Sequence, residues 1–412
     1  MKSEFRRNAV MSALLAIVAL PITPMAQNIS TEKIHGLPCW VVQTSSTRVA
    51  ITQTGGHMAP VTFNRNTANP IEPYYISPWQ NEGHTEFPAS VLVPLRGDFF
   101  CLPFGGNGAP FQGEPHVPHG ESATGDWNMV EVQTDPNHTT LILSMDTQVR
   151  TGKLTKSVHL IEGQNAIYST HRIEGFAGPA PLGHHATLAM PETEGAIRIS
   201  HSPIEFGMTN AGIFSDPANR EYQQLAIGAT FEALSSVPSI FRDSENVDLT
   251  RLPAKKGFAD LIMLVQKIQP DTPSWVTAVN TEDRWLWFSI KDPRVLRSTV
   301  FWLENGGRHG FPWNGRNNCV GIEEVTAFFA DGLAPSAASN ALNNRGIITA
   351  LELNENQPTH IHYIQGAIRI PDGFDRVADV NFHNNNRMTF ISESGQETEA
   401  QVNWTFALDG RL

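Results

Sequence analysis

Cysteine is scarce in this sequence. The 412 residues include only three cysteines, Cys39, Cys101 and Cys319, which lie far apart along the chain. An odd number of widely spaced cysteines does not make a disulfide framework, and at most one bridge can form within the chain. We therefore expect the fold to be stabilised by the burial of apolar side chains.

The sequence also lacks an excess of positive charge. Its formal net charge is −12, from 29 Lys and Arg residues against 41 Asp and Glu residues, and the acidic residues are scattered. Without a basic stripe, the chain has no electrostatic footprint for nucleic acid or for an anionic membrane. The composition excludes nucleic acid as an expected partner and favours a neutral, polar one.

Long apolar runs are missing except near the N-terminus. There, basic residues precede an apolar run at 9–22, which is interrupted by Pro21 and is shorter than the roughly 20 residues that span a bilayer. This pattern is typical of a secretory signal peptide, which we assign to residues 1–26. The sequence thus predicts a periplasmic or secreted protein, without membrane insertion after signal cleavage, that forms a single domain over residues 27–412.

Helical periodicity is scarce as well, since only residues 230–234 and 327–343 could form short helices. Most periodic segments alternate in steps of two and are rich in Val, Ile, Thr, Phe and Trp, which indicates strands. The predicted strands are 39–44, 48–54, 139–145, 154–161, 166–173, 260–267, 274–280, 284–291, 298–303, 347–353, 360–370 and 402–408.

So many strands, with no repeat of fixed period and no Gly/Ser linker, predict an all-β fold of one large antiparallel β-sandwich with few short helices. The proline-rich and aromatic segment 64–88 is too irregular for a strand. Long irregular loops of this kind usually carry function or cover a site.

Several segments of the chain occur in an order that resembles the galactose mutarotase-like superfamily, to which the aldose 1-epimerases are related. They are the glycine-containing segment 54–61, the arginine-containing segment 95–105, the His-Gly motif at 118–121 followed by Trp127, the histidine motif 183–188 and the glutamate strand 319–323. The chain is identified as a divergent member, because the usual Asn or Pro beside the second histidine is absent. The resemblance implies a supersandwich fold and a pocket for a mono- or oligosaccharide.

The resemblance also implies catalytic roles. Exchange of sugar anomers requires a base for the anomeric hydroxyl and an acid for the ring oxygen. Glu323 matches the family's base, whereas the adjacent Glu324 would point to the opposite face of a strand. His185 matches the acid, with His184 as the alternative one residue away, and His119 would stabilise developing charge or orient the ring. The alternative for both glutamates is an ordinary surface position at a strand end.

Further residues are candidates for substrate binding. Arg96 lies in an apolar, glycine-rich stretch, where its guanidinium needs either sugar hydroxyls or a structural salt bridge. Trp79, Trp127 and Trp313 could stack on the apolar face of a sugar or pack in the core. The turn-rich segment 305–315, which contains Arg308, is predicted to be a loop that lines the same site.

Histidine spacing raises the possibility of a metal site. His360 and His362 would face the same side of a strand, and His116 and His119 bracket a short loop. No third and fourth ligand occurs at a diagnostic spacing, so we expect neither a metal nor another cofactor.

The sequence leaves three functions open. The first is an enzyme of the aldose 1-epimerase type, and the second is a carbohydrate-binding protein without catalytic activity on the same fold. The third is a polysaccharide-processing hydrolase or lyase, since one fold does not fix one reaction. Cleavage by two carboxylates would need a second acid opposite Glu323, for which Glu121, Asp126 and Glu304 are the candidates.

Overall fold

A computed structural model describes residues 29–241 and 246–412. The predicted signal peptide lies outside these residues. In the part of the chain that is described, no helix is long and apolar enough to cross a membrane.

Strands make up most of the regular structure. Within the described ranges the chain forms 25 strands and two short α-helices. The strands of the N-terminal half are β1 Ile29–Ile34, β2 Leu37–Gln43, β3 Arg48–Thr52, β4 Met58–Thr62, β5 Phe100–Cys101, β6 Asn128–Thr134, β7 His138–Thr147, β8 Gly152–Ile161, β9 Ala166–Glu174, β10 Gly178–Ala180, β11 Leu182–Ala189, β12 Ile197–His201 and β13 Ile204–Thr209. Those that follow are β14 Thr230–Phe231, β15 Arg251–Leu252, β16 Phe258–Gln266, β17 Ser274–Asn280, β18 Trp285–Lys291, β19 Ser298–Asn305, β20 Asn318–Thr326, β21 Leu351–Leu353, β22 Thr359–Arg369, β23 Val377–His383, β24 Arg387–Ser392 and β25 Glu397–Gln401. The helices are α1 Leu333–Ala337 and α2 Phe406–Asp409.

Two large antiparallel sheets dominate the architecture. The seven-stranded sheet has the order β14-β13-β16-β19-β20-β11-β5, and the nine-stranded sheet has the order β15-β12-β17-β18-β22-β9-β8-β7-β6. Apolar side chains of both sheets form one buried cluster, which includes Leu141 and Ile167 from one sheet and Ile262 and Val320 from the other. The predicted all-β sandwich is therefore confirmed.

Three smaller sheets complete the fold. Strands β1 to β4 form a meander at the N-terminus, β10 pairs with β21, and β23 to β25 form a three-stranded sheet near the C-terminus. Side chains of this last sheet and of α2 cover the outer face of the nine-stranded sheet. The outer face of the seven-stranded sheet is covered by a second apolar cluster, in which loop residues such as Trp79 and Leu92 pack on Met263 and Val325.

Alternation along β20 determines which of its side chains reach this outer face. On β20, Val320 and Ile322 belong to the cluster between the sheets, whereas Cys319 and Val325 belong to the outer cluster. Glu323 therefore points outward, because successive side chains of a strand point to opposite faces.

Four of the predicted elements differ from the structure. Residues 402–408 are not a strand, because the chain turns into α2, whose Phe406 and Ala407 are buried. Residues 347–353 form a strand only at β21. The predicted helix 327–343 is limited to α1, after which the Asn340 side chain donates to the carbonyls of Pro335 and Ala338. Residues 230–234 are not helical, since β14 pairs with β13.

Candidate active site

A cavity of about 240 Å³ lies on the outer face of the seven-stranded sheet, under the covering loops. Most of its lining is apolar, and its polar side chains are few. The lining residues are Ala89, Val91, Leu92, Leu95, Pro118, His119, His185, Phe214, Leu261, Trp302, Arg308, Trp313, Glu323 and Ala330. An apolar pocket with a few convergent polar groups is the usual form of a small-molecule site.

A buried acid and a buried imidazole meet in this cavity. His185 of β11 lies directly opposite Glu323 of β20 in the antiparallel register, so both side chains project from the same face. His185 Nε2 is 3.2 Å from Glu323 Oε1, and His185 Nδ1 is 3.2 Å from the Thr187 hydroxyl. Glu323 Oε2 is buried and has no hydrogen-bond partner among the described residues. One carboxyl oxygen is therefore available to a ligand.

Burial favours the uncharged form of both groups. It raises the pKa of Glu323 well above its ordinary value, although the nearby Arg308 guanidinium opposes this shift. It lowers the pKa of His185 well below its ordinary value, and the proximity of His119 acts in the same direction. Desolvation is the dominant cause in each case, because a charge loses hydration when water is excluded. A carboxylic acid next to a neutral imidazole is the expected resting state.

Glu323 occupies its position because residue 321 is a glycine. A Cβ atom at Gly321 would lie 2.6 Å from Glu323 Oε1 and 3.1 Å from the Cβ atom of Trp302, which faces Gly321 across the ladder. The Gly-Ile-Glu sequence thus makes room on one face of the sheet for both the carboxyl and the indole.

His119 forms a second side of the cavity. Its ring is perpendicular to that of His185, with the centroids 5.0 Å apart, and its Nδ1 is 3.4 Å from Cys101 Sγ. Burial lowers the pKa of His119 to about 4. The neighbouring Gly120 has φ +77°, and a Cβ there would lie 1.9 Å from the carbonyl oxygen of Leu102. The His-Gly pair therefore reflects a close backbone approach that brings His119 to the site.

Arg308 is surrounded by aromatic rings. Its guanidinium carbon lies 5.1 Å from the ring centre of Phe214, 5.5 Å from that of Trp313 and 5.8 Å from that of Trp302. These distances are within the range of cation–π contacts. Its side chain makes no hydrogen bond to another described residue, so its donors are available to a ligand in the cavity.

Glu304 holds the loop that carries Arg308. One carboxyl oxygen of Glu304 accepts hydrogen bonds from the backbone N–H groups of Gly307 and Arg308, at 2.9 and 3.0 Å. The other oxygen lies 3.8 Å from Arg308 Nε. Burial raises the pKa of Glu304 to about 7. Segment 305–315 is thus a loop that lines the site.

Three side chains assigned to substrate binding from the sequence do not line the cavity. Arg96 is buried, and its guanidinium donates to the carbonyls of Ile34 and His35 and contacts Gln80. No carboxylate among the described residues pairs with Arg96, so it forms neither the expected salt bridge nor a clamp at this cavity.

His184 and Trp127 are also elsewhere. His184 points into the space between the two sheets, where its Nδ1 is 3.0 Å from Asp98 Oδ2. The one-residue offset from His185 sends it to the opposite face of β11. Trp127 is in the core between the sheets, and its indole N–H donates to the carbonyl of Ser122.

Glu324 likewise belongs to the interior. It contacts the Lys291 ammonium and accepts hydrogen bonds from Ser289 and Thr299. Both glutamates are buried, so the alternative of a surface position is wrong for each.

Trp302, Phe214 and the segment 89–95 also contribute to the site, although no sequence pattern pointed to them. Trp302 lies within a strand, where a core role is equally expected. Trp79 supports the cavity wall from behind: its N–H donates to the Leu92 carbonyl and its ring lies edge-on to Trp313 at 4.8 Å.

The other histidine and carboxylate candidates are dispersed. In residues 29–241 and 246–412 there is no cluster of three or more His, Cys, Asp or Glu side chains that could hold a metal ion. The rings of His360 and His362 lie side by side at 6.2 Å. Neither Glu121 nor Asp126 lines the cavity. Glu121 accepts a hydrogen bond from the backbone N–H of Gln148, and Asp126 accepts one from the Thr54 hydroxyl. Glu304 shares the sheet face of Glu323, with Trp302 between them.

The sequence matches no protein-family model, and it matches no curated protein. Solved structures with the same fold are nevertheless found. A protein proposed to be an aldose 1-epimerase from Klebsiella pneumoniae is 12% identical with a TM-score of 0.58, and the match covers 83% of each chain. A galactose mutarotase-like protein from Clostridium acetobutylicum is 13% identical with a TM-score of 0.54 over 82% of this chain and 97% of the other. A galactose mutarotase related enzyme from Lactobacillus acidophilus is 12% identical with a TM-score of 0.50 over 81% and 98%.

At these identities the similarity shows the fold alone. This chain has the galactose mutarotase-like β-sandwich fold, and the resemblance found in its sequence motifs is confirmed at that level.

Proposed function

We propose that this chain binds a sugar in the cavity and interconverts its anomers, as an aldose 1-epimerase does. The observation that carries the proposal is the buried pair of His185 and Glu323, 3.2 Å apart in an apolar cavity. The anomeric hydroxyl and the ring oxygen of a sugar are bonded to the same carbon and are therefore adjacent. A base and an acid that are themselves adjacent can reach both oxygens at once.

In the proposed reaction, the Glu323 carboxylate takes the proton of the anomeric hydroxyl, and the electron pair of that O–H bond forms a carbonyl. The bond between the anomeric carbon and the ring oxygen breaks, and protonated His185 gives its proton to the ring oxygen. Rotation about the adjacent carbon–carbon bond and reversal of these steps close the ring as the other anomer. His119 stabilises the developing charge, in a site where water does not compete.

The uncharged pair that burial favours contains the same number of protons as the reactive pair. Transfer of one proton from Glu323 Oε1 to His185 Nε2, which lie 3.2 Å apart, gives a carboxylate and an imidazolium. Arg308 favours the carboxylate, since its charge lowers the pKa of Glu323. Trp302 and Trp313 offer indole surface to the apolar face of the sugar, and the free donors of Arg308 can bind its hydroxyls.

The raised pKa of Glu323 favours a second candidate, which is a sugar-binding protein without catalytic activity. A carboxyl that stays protonated donates a hydrogen bond to a sugar but cannot act as a base.

The test is anomer exchange of a panel of aldoses, followed by NMR, with the Glu323→Gln variant. We expect its exchange rate to fall about 10²-fold or more, because the amide has the same shape but cannot accept the proton. Glu352→Gln, which changes an exposed glutamate, is the matched control and should keep the wild-type rate. Equal rates for Glu323→Gln and wild type would contradict the mechanism. Sugar binding without exchange in the wild type would support the second candidate.

We also propose that the protein is exported, on the basis of its basic and apolar N-terminal segment. Mass spectrometry of the protein purified from its host should give a mature N-terminus near Gln27. An intact Met1 on the folded protein would contradict export by a cleaved signal.

A further inference from the structure

Three aromatic rings lie together outside the cavity. Phe311 is 46% exposed, which is unusual for a phenylalanine. Its ring centre is 6.1 Å from that of Phe87, with 22° between the two planes, and the ring of His84 lies edge-on to Phe311 at 4.9 Å. We call His84, Phe87 and Phe311 the aromatic rim. Exposed apolar side chains that lie side by side are typical of a ligand-binding or interaction surface.

The aromatic rim borders the cavity. Phe87 is two residues from Ala89, and Phe311 is two residues from Trp313, and both of these neighbours line the cavity. Two residues of chain span at most about 7 Å. Ile213 is also strongly exposed, and it precedes the lining residue Phe214. The exposed apolar surface and the cavity lining therefore belong to one continuous region.

The two loops that form the rim are fixed to each other. Arg316 forms a two-pronged ion pair with Glu82, in which Nη2 lies 2.8 Å from Oε2. Trp79 and Trp313 join the same two loops through their perpendicular rings. The rim is thus arranged before any ligand arrives, which reduces the entropy lost on binding. The charges of Glu82 and Arg316 offset each other.

We propose that the site binds an oligosaccharide, with its reducing-end ring in the cavity and its next ring stacked on the aromatic rim. This inference rests on the proposed function and extends it. The anomeric carbon that reacts exists only at the reducing end of a glycan, and that end must face Glu323 and His185. Every further ring must then leave through the mouth of the cavity. The rim borders the cavity lining next to Ala89 and Trp313 and provides aromatic surface, which packs against the C–H face of a sugar ring.

The experiment compares the binding of monosaccharides with that of α- and β-linked di- and trisaccharides that share the same reducing-end ring, by calorimetry. We expect at least one linkage to bind about tenfold tighter than its reducing-end monosaccharide. Phe311→Ala should remove this gain while the monosaccharide affinity stays unchanged. Val130→Ala is the matched control, because Val130 is an exposed apolar residue on β6, an edge strand of the nine-stranded sheet.

Two results would overturn this inference. One is that no disaccharide or trisaccharide binds tighter than its monosaccharide, which includes the case in which no sugar binds at all. The other is that Phe311→Ala weakens monosaccharide and oligosaccharide binding equally. Anomer exchange of monosaccharides with no gain from a second ring would refute the inference and leave the proposed function intact. A gain in affinity that depends on Phe311, without anomer exchange, would support the inference and refute the epimerase mechanism.

Discussion

We predict that replacing Lys291 with methionine lowers the free energy of unfolding by about 3 to 5 kcal/mol, because breaking a buried ion pair leaves the partner charge uncompensated. Lys291 and Glu324 are both fully buried between the sheets and are in direct contact. The Lys291 ammonium also donates to the Ser298 carbonyl at 2.6 Å and to the Thr299 hydroxyl at 3.1 Å. Methionine fills the space of the aliphatic stem but supplies none of these contacts. Glu324 would keep only the hydroxyls of Ser289 and Thr299.

The assay is urea unfolding followed by tryptophan fluorescence. At a slope of about 3 kcal/mol per molar urea, a loss of 4 kcal/mol moves the midpoint down by about 1.3 M. The double variant Lys291→Met with Glu324→Met should lose less than Lys291→Met alone, because replacing both charges removes the desolvation cost with the attraction. Lys256→Met is the control, since Lys256 pairs with Glu192 only at the exposed surface, where pairs contribute about 0 to 1 kcal/mol. A midpoint shift below about 0.3 M for Lys291→Met would refute the reasoning.

Two further predictions concern pH. Burial lowers the pKa of Lys156 to about 8 from 10.5, so between these values the unfolded Lys156 side chain binds a proton that the native one does not, and its contribution to stability rises with pH by about 3 kcal/mol. The three buried cysteines, whose pKa values are raised, act in the opposite direction in this range, so the prediction concerns the difference between the wild type and Lys156→Met. Urea unfolding at pH 7 and pH 10 should show this difference shift in favour of the wild type by about 2 to 3 kcal/mol, and an unchanged difference would contradict the prediction. Arg308→Gln should move the alkaline limb of the pH–rate profile for anomer exchange to higher pH, because that limb reports loss of the pair's proton from Glu323, and the pKa of Glu323 loses the influence that lowers it. Arg345→Gln, which removes a cation over Phe206 instead, should leave that limb in place, and an unmoved limb in Arg308→Gln would argue against Glu323 as the base.

The longer strands of the two large sheets could be predicted from the sequence, because turn residues bound them and β-branched and aromatic residues fill them. Strand β18 was found although it is buried on both faces and therefore does not alternate. The strands that were missed include β12, β13 and β23. In β23 a register shift between Val377 and Asp379 interrupts the alternation, so its buried Val377 and Val380 do not follow a period of two. The helix α2 was mistaken for a strand because its buried Phe406 and Ala407 are too few to show a helical period.

The site was only partly predictable. Glu323, His185 and His119 do line one cavity, with Arg308 and Trp313, while their catalytic roles stay predictions. Pairing of His185 with Glu323 depends on the register of two strands over 130 residues apart, which no local pattern encodes.

Arg96 was predicted from the sequence to bind the substrate or to form a salt bridge, and it does neither. Its partners are the main-chain carbonyls of Ile34 and His35. Every residue type has a main-chain carbonyl, so the sequence cannot identify such a partner. Trp302 could not be distinguished from a core tryptophan in the sequence. The room for its indole at the cavity depends on Gly321, which is its partner on the neighbouring strand, and this pairing is known only from the structure.

The adjacent pairs His184–His185 and Glu323–Glu324 have a consequence for how this protein can diverge. Each pair divides its two side chains between the scaffold on one face of the sheet and the cavity on the other. Insertion or deletion of a single residue in β11 or β20 would exchange those faces and would present the wrong histidine or the wrong carboxyl to the cavity. Relatives of this chain should therefore vary in length in the loops around the cavity, and the spacing within these two strands should resist change.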